Sequence, residues 1–108
     1  MNAPIFNSVP TIDPELLRSF VAIAETGSFT AAAERVFRTP SAVSMQIKRL
    51  EEVLGVSVFK RDARNVSLTP DGEVLISYAR RLLALNRETM SRFVSPSVSG
   101  VVKLGAPS

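Results

Sequence analysis

The chain has 108 residues, 45% apolar and 21% charged, enough for one domain with a modest core. It has no run of about 18 apolar residues of the kind a membrane helix needs, and its net charge is only +3. With no Cys, no His and five isolated glycines, it lacks disulfides, thiol nucleophiles, Ser–His pairs and phosphate-cradling Gly loops, so neither catalysis, nor a metal, nor a cofactor is expected.

Residues 1–12, MNAPIFNSVPTI, have neither a basic start nor an apolar stretch. They read as a flexible leader rather than a signal peptide, and the protein as cytoplasmic. Asp13 then suits a helix N-cap and Pro14 the first helical position. Leu16, Leu17, Phe20, Val21, Ile23 and Ala24 recur at helical spacing until Gly27 stops the run. Ser28 or Thr30 caps a short second helix, FTAAAERVF, whose alanines allow close approach to a neighbour. The third helix follows after a few residues, so the two cross steeply.

Thr39 caps this third helix, Pro40 opens it and Gly55 ends it. At about 100° per residue, Val43, Ile47, Leu50 and Leu54 fall in a strip about 60° wide, the buried side. Ser41, Met45, Lys48 and Glu52 lie opposite, with Ser44 and Arg49 at the flanks. Two apolar runs, Val56–Lys60 and Val66–Leu68, then bracket Arg61–Asn65 and predict a small hairpin. Lys60, Arg61 and Arg64 sit at or near its tip.

Thr69-Pro70 opens a fourth helix reaching about Phe93, roughly 36 Å long at about 1.5 Å per residue. Its apolar surface exceeds what a small core takes from one helix. Val74 and Tyr78 are expected in the core, whereas Leu75, Ala79, Leu82, Leu83, Asn86, Met90 and Phe93 are assigned to a partner helix. SPSVSG next reads as a hinge and VVKLGAPS as a first strand with nothing after it.

The architecture predicted is mainly α: a winged helix-turn-helix of three helices and a two-stranded wing, then a long linker or dimerisation helix. Its segments are the leader 1–12, the winged unit 13–69, the long helix 70–94, and a hinge and strand at 95–108. In the DNA-binding form of this motif the second helix of the pair enters the major groove, and residues near its start meet base edges. Ser41, Ser44 and Lys48 fit that role, and Arg38 and Arg49 are candidates for phosphate. The charge agrees. Residues 1–37 carry two basic groups against four acidic, 38–64 six against three, and 65–108 five against three. The surplus follows the motif, as for a polyanion.

The stretch Leu16–Glu73, with GSFTAAAE, SAVS, LEEVLG, Val58-Phe59, Arg61 and LTPDGE in order, resembles the winged helix-turn-helix domain of LysR-type transcriptional regulators. That resemblance implies a dimeric or tetrameric bacterial regulator bound to double-stranded promoter DNA. Base and phosphate contacts would come from Thr39, Pro40, Ser41, Ser44, Met45 and Lys48, and a wing contact from Arg61 or Arg64. The fourth helix would pair antiparallel with its copy. A small-molecule effector would act only through a C-terminal domain that this chain lacks. Two positions depart from the pattern: Pro40, where members often have Gln, and Met45, where they often have Arg, Gln or His. Met45 cannot form the bidentate hydrogen bonds that discriminate bases, which leaves contact with a thymine methyl. A second reading stays open, in which the winged helix is a protein-interaction module and the long helix an assembly element.

Overall fold

A computed structural model describes residues 10–62 and 65–94. The expected leader up to residue 9, Ala63, Arg64, and the expected hinge and strand at 95–108 lie outside the described residues. The elements are α1 (Pro14–Thr26), α2 (Phe29–Arg35), α3 (Pro40–Leu54), β1 (Phe59–Arg61), β2 (Val66–Leu68) and α4 (Pro70–Phe93).

Local chemistry sets the helix ends. The Asp13 carboxylate accepts from the Glu15 N–H at 2.9 Å, ahead of Pro14. Ser28, not Thr30, caps α2, accepting from Ala31 N–H at 3.1 Å. Thr39 caps α3 by accepting from Ala42 N–H at 3.1 Å. Gly27 (φ 71°) and Gly55 (φ 76°) take the left-handed conformation that ends α1 and α3.

The turn after α2 is less ordinary. Phe37 N–H donates to Glu34 O at 3.3 Å and Arg38 N–H to Ala33 O at 2.9 Å, the paired bonds of a Schellman stop. That stop needs a left-handed residue, and here it is Phe37 at φ 60° rather than glycine. The strained backbone gains nothing from packing, because the Phe37 ring is 93% exposed.

Phe20, Ile23, Val43, Ile47, Leu50 and Val58 are fully buried and form the centre of the core, with Leu16, Leu17, Ala32, Ala33 and Phe59 around them. Burying side chains of this size contributes roughly 1.5–3 kcal/mol each. The Phe59 ring packs at a tilt 5.3 Å from Phe20 and edge-on 6.1 Å from Phe29, anchoring the wing to α1 and α2.

The wing is an antiparallel pair with Phe59 opposite Leu68, Lys60 opposite Ser67 and Arg61 opposite Val66. Asp62 N–H donates to Asn65 O at 2.9 Å across its turn. The first strand therefore starts later than the apolar run at Val56 predicts, and it includes Arg61. The reason lies in Val58, whose N–H is taken by the Glu51 carboxylate rather than by the opposite strand, so that Thr69 N–H to Val58 O is the last rung of the ladder.

Thr69 fastens α4 to the wing. Its hydroxyl accepts from Gly72 N–H at 3.0 Å and donates to Ser57 O at 2.7 Å. Gly72 lies against the Val58 backbone so closely that an added Cβ would stand 2.2 Å from Val58 O.

Beyond this joint the face of α4 turned to the core differs from the one expected. Leu75 and Ala79, assigned to a partner helix, are buried in the monomer's own core, and Leu83 is half-buried against it. Val74 and Tyr78, expected in that core, are 59% and 53% exposed. With Gly72 pressed on Val58, the residues one and two turns later on the same side, Leu75 and Ala79, must face α1. Val74 and Tyr78 lie about 100° away from that side and face outward.

Two substitutions test these strained contacts. Gly72→Ala should cost about 1–3 kcal/mol by overpacking, read as a lower urea midpoint with an unchanged slope. Phe37→Gly should raise stability by about 0.5–1 kcal/mol, since it relieves a left-handed side chain at no loss of burial.

Candidate nucleic-acid interface

Three contacts fix the rotation of α3 about its own axis. Val43, Ile47 and Leu50 are fully buried along one side, and Leu54 packs partly against the core. The Ser19 hydroxyl, itself buried, donates to Gln46 Oε1 and ties α3 to α1. The Glu51 carboxylate accepts from Val58 N–H at 2.9 Å and ties α3 to the wing. The opposite ridge must therefore face outward. Ser41, Lys48, Arg49 and Glu52 are exposed, Met45 is 61% exposed, and Ser44 is half-buried at the flank.

The start of α3 has mixed donors. Pro40 removes one N–H, and the Thr39 oxygen is already accepting from Ala42 N–H, although its own O–H remains able to donate. Ser41 adds a hydroxyl one residue on. Small donors at the helix start and cations about two turns later make a surface that suits an acidic, hydrogen-bonding partner.

The ion pairs lie elsewhere. Arg38 Nη2 meets Glu15 Oε1 at 2.6 Å, Arg35 Nη1 meets Glu25 Oε1 at 2.6 Å, and Arg80 Nη2 approaches Glu25 Oε2 at 3.4 Å. Arg38, expected beside a phosphate, is thus paired with α1 in this structure. The pair is about half exposed on both sides and worth at most about 1 kcal/mol, so a stronger anion can displace the carboxylate. Among the described residues, no ion pair involves Lys48, Arg49, Lys60 or Arg61. Glu51, the i+3 neighbour of Lys48, accepts from the Val58 N–H at the wing.

On the wing, Phe59 is buried while Lys60 and Arg61 are exposed. The Arg61 guanidinium lies 4.5 Å from the centroid of the Phe29 ring. Arg64, the third basic candidate, lies outside the described residues. Sequence reading passed over Ser19, Phe29 and Glu51 as contributors. Ser19 gave one usable signal, a lone hydroxyl at the buried phase of α1. The roles of Phe29 and Glu51 depend on contacts between elements that no local spacing reveals.

Away from the ridge, α4 presents a second apolar surface. Val74, Tyr78, Leu82, Leu85, Met90 and Phe93 are all about half exposed or more, and Asn86 is exposed. Tyr78 and Leu85, seven residues apart, share one strip, whereas Leu82, seven residues after Leu75, continues the Leu75–Ala79 side beyond the core. The Arg81 guanidinium stands 5.3 Å over the Tyr78 ring. Among the described residues no group of three His, Cys, Asp or Glu converges to hold a metal ion, and no helix is long and apolar enough to cross a membrane.

Comparison with known proteins matches this geometry. Residues 14–73 fit the model of the bacterial regulatory helix-turn-helix proteins of the lysR family. The chain is 41% identical over 103 residues, 95% of its length, to the HTH-type transcriptional regulator PecT of Dickeya dadantii, of which it covers 31%. It is 50% identical over 72 residues, 67% of its length, to the HTH-type transcriptional activator AllS of Klebsiella pneumoniae, covering 27% of that protein. The chain thus spans about a third of the length of the curated relatives it matches. Among solved structures, the BenM DBD in complex with benA site 1 DNA superposes with a TM-score of 0.71 at 38% identity, over 74% of this chain and 93% of that one. The CbnR DBD–DNA complex gives 0.72 at 31% identity, over 80% of this chain and 99% of that one.

Proposed function

The chain belongs to the lysR family of bacterial regulatory helix-turn-helix proteins, and we propose that it is the DNA-reading unit of a transcriptional regulator acting on double-stranded promoter DNA. The observation that carries this reading is the outward ridge of α3, with its hydroxyls at the start and unpaired cations behind. The relatives' names and the DNA in the two superposed complexes support it.

In this reading α3 lies in the major groove, whose width of about 12 Å admits one helix. Ser41 and Ser44 offer hydroxyls to base edges or phosphates, and Thr39 has its free O–H. Met45 meets the groove floor through its thioether and methyl, which suits a thymine methyl and makes no donor–acceptor discrimination. Pro40 packs at the groove edge. Lys48 and Arg49 neutralise phosphate on either side of the helix, and Arg38 exchanges Glu15 for phosphate when the duplex arrives. Arg61, with Arg64, supplies the wing contact.

The protein works as a homodimer through α4, or as a tetramer when longer. Leu82, Asn86, Met90 and Phe93 remain in the interface, now joined by Tyr78 and Leu85, while Leu75 and Ala79 support it from behind. Such a pair presents two copies of α3 to half-sites about one or two helical turns apart, each turn roughly 34–36 Å. Sensing of an effector is assigned to the parts of the relatives that this chain does not span. A DNA target places the work in the cytoplasm.

A salt series tests the reading. Affinity for duplex DNA should fall linearly on logarithmic axes, and Lys48→Ala should weaken all sequences alike and flatten the slope by about one. Binding indifferent to salt, or none at low salt, would favour a protein-interaction module instead. Leu82→Asp should yield monomers by analytical ultracentrifugation, with operator binding weakened because two linked contacts become one. A dimer that survives this change would place the interface elsewhere.

A further inference from the structure

We propose that Phe29, which opens the first helix of the helix-turn-helix pair, is a positioning residue for DNA binding: its ring holds the Arg61 guanidinium ready for a backbone phosphate. The proposal rests on the DNA-binding reading above and concerns a residue that contacts no DNA itself.

The ring is held in place before Arg61 reaches it. Phe29 follows the Ser28 cap and is half-buried. It meets Phe59 edge-on, with centroids 6.1 Å apart and planes at 65°. Phe59 in turn packs at a tilt against the fully buried Phe20. Arg61 lies two residues after Phe59 on the same strand, so both side chains leave β1 on one side. Its guanidinium carbon then stands 4.5 Å from the Phe29 centroid.

A guanidinium whose central carbon stands over a ring at this distance can lie with its flat face on it, and its N–H donors then stay free around the edge. Among the described residues no carboxylate competes for them, and Asp62, the next residue, does not pair with Arg61. A free arginine side chain samples many rotamers, and ordering it on binding lowers affinity. Here the ordering is done in the unbound protein. The location fits as well, because the first helix of such a pair crosses the phosphate backbone, and the stacked cation sits at the start of that helix.

A mutant cycle tests this, using the whole chain and a labelled mixed-sequence duplex in a fluorescence-anisotropy salt series. Phe29→Leu keeps apolar bulk but removes the ring face, and it should weaken binding about two- to fivefold, the size of an exposed cation–π contact. Phe29→Tyr keeps the face and should bind like the parent. Arg61→Ala should weaken binding further and flatten the salt slope by about one, and adding Phe29→Leu to it should cost nothing more. Arg61→Lys keeps the charge but not the flat face. It should therefore reproduce the Phe29→Leu loss with the slope unchanged, which gives a second route if Phe29→Leu melts. Melting curves by circular dichroism identify any folding loss.

Multiplying losses in the double variant, tighter or unchanged binding by Phe29→Leu, or parental binding by Arg61→Lys would each overturn the proposal and leave the DNA reading standing. A parent chain that binds no duplex at low salt would remove both.

Discussion

The rotational setting of α3 is the constraint on which the rest depends. Three fully buried side chains, Val43, Ile47 and Leu50, fix it from one side. At roughly 1.5–3 kcal/mol each, turning that stripe to water would cost about as much as the entire stability of a small domain. Ser19 and Glu51 then lock the helix by its flanks, one from α1 and one from the wing. The outward ridge is thus a by-product of core packing. Its residues are free to vary with the target because none of them holds the fold.

Charge follows the same division. The acidic groups of α1, Glu15 and Glu25, gather Arg38, Arg35 and Arg80 around themselves. Surface pairs of this kind contribute little to stability. Among the described residues they leave Lys48, Arg49, Lys60 and Arg61 outside any ion pair, so these cations stay available where a polyanion would approach. The modest net charge of +3 understates the local surplus, because residues 38–64 carry six basic groups against three acidic while residues 1–37 carry two against four.

Much of this was legible in the residues. Asp13, Thr39 and Thr69 followed by proline mark three helix starts, and Gly27 and Gly55 mark two ends. The faces of α3 follow from its period alone, since one neighbour set covers one side. On α4 the same method misassigns Leu75, Ala79, Val74 and Tyr78. Periodicity finds an apolar arc but not which neighbour covers which part of it. α4 carries two adjoining arcs, and the division between them is decided by Gly72 against Val58, a contact across fourteen residues. Arg38, Glu51 and the late start of β1 were hidden for the same reason: their partners lie in other elements. Phe37 was hidden differently, for no spacing rule predicts a bulky residue where a helix stop favours glycine.

The joint between wing and α4 has a mechanical consequence. Thr69 bonds backward to Ser57 and forward to Gly72, and Gly72 rests on the Val58 backbone. The exposed pair of Glu25 with Arg80, at 3.4 Å, adds a weaker contact two turns further along. No slack is left between the long rod and the head that carries α3. Two such heads joined through their rods would behave like the jaws of a set caliper, with their gauge decided when the rods meet. A duplex whose grooves fell out of step with that gauge would have to bend or twist to be held, and sequences that yield cheaply would be favoured at base pairs the protein never touches.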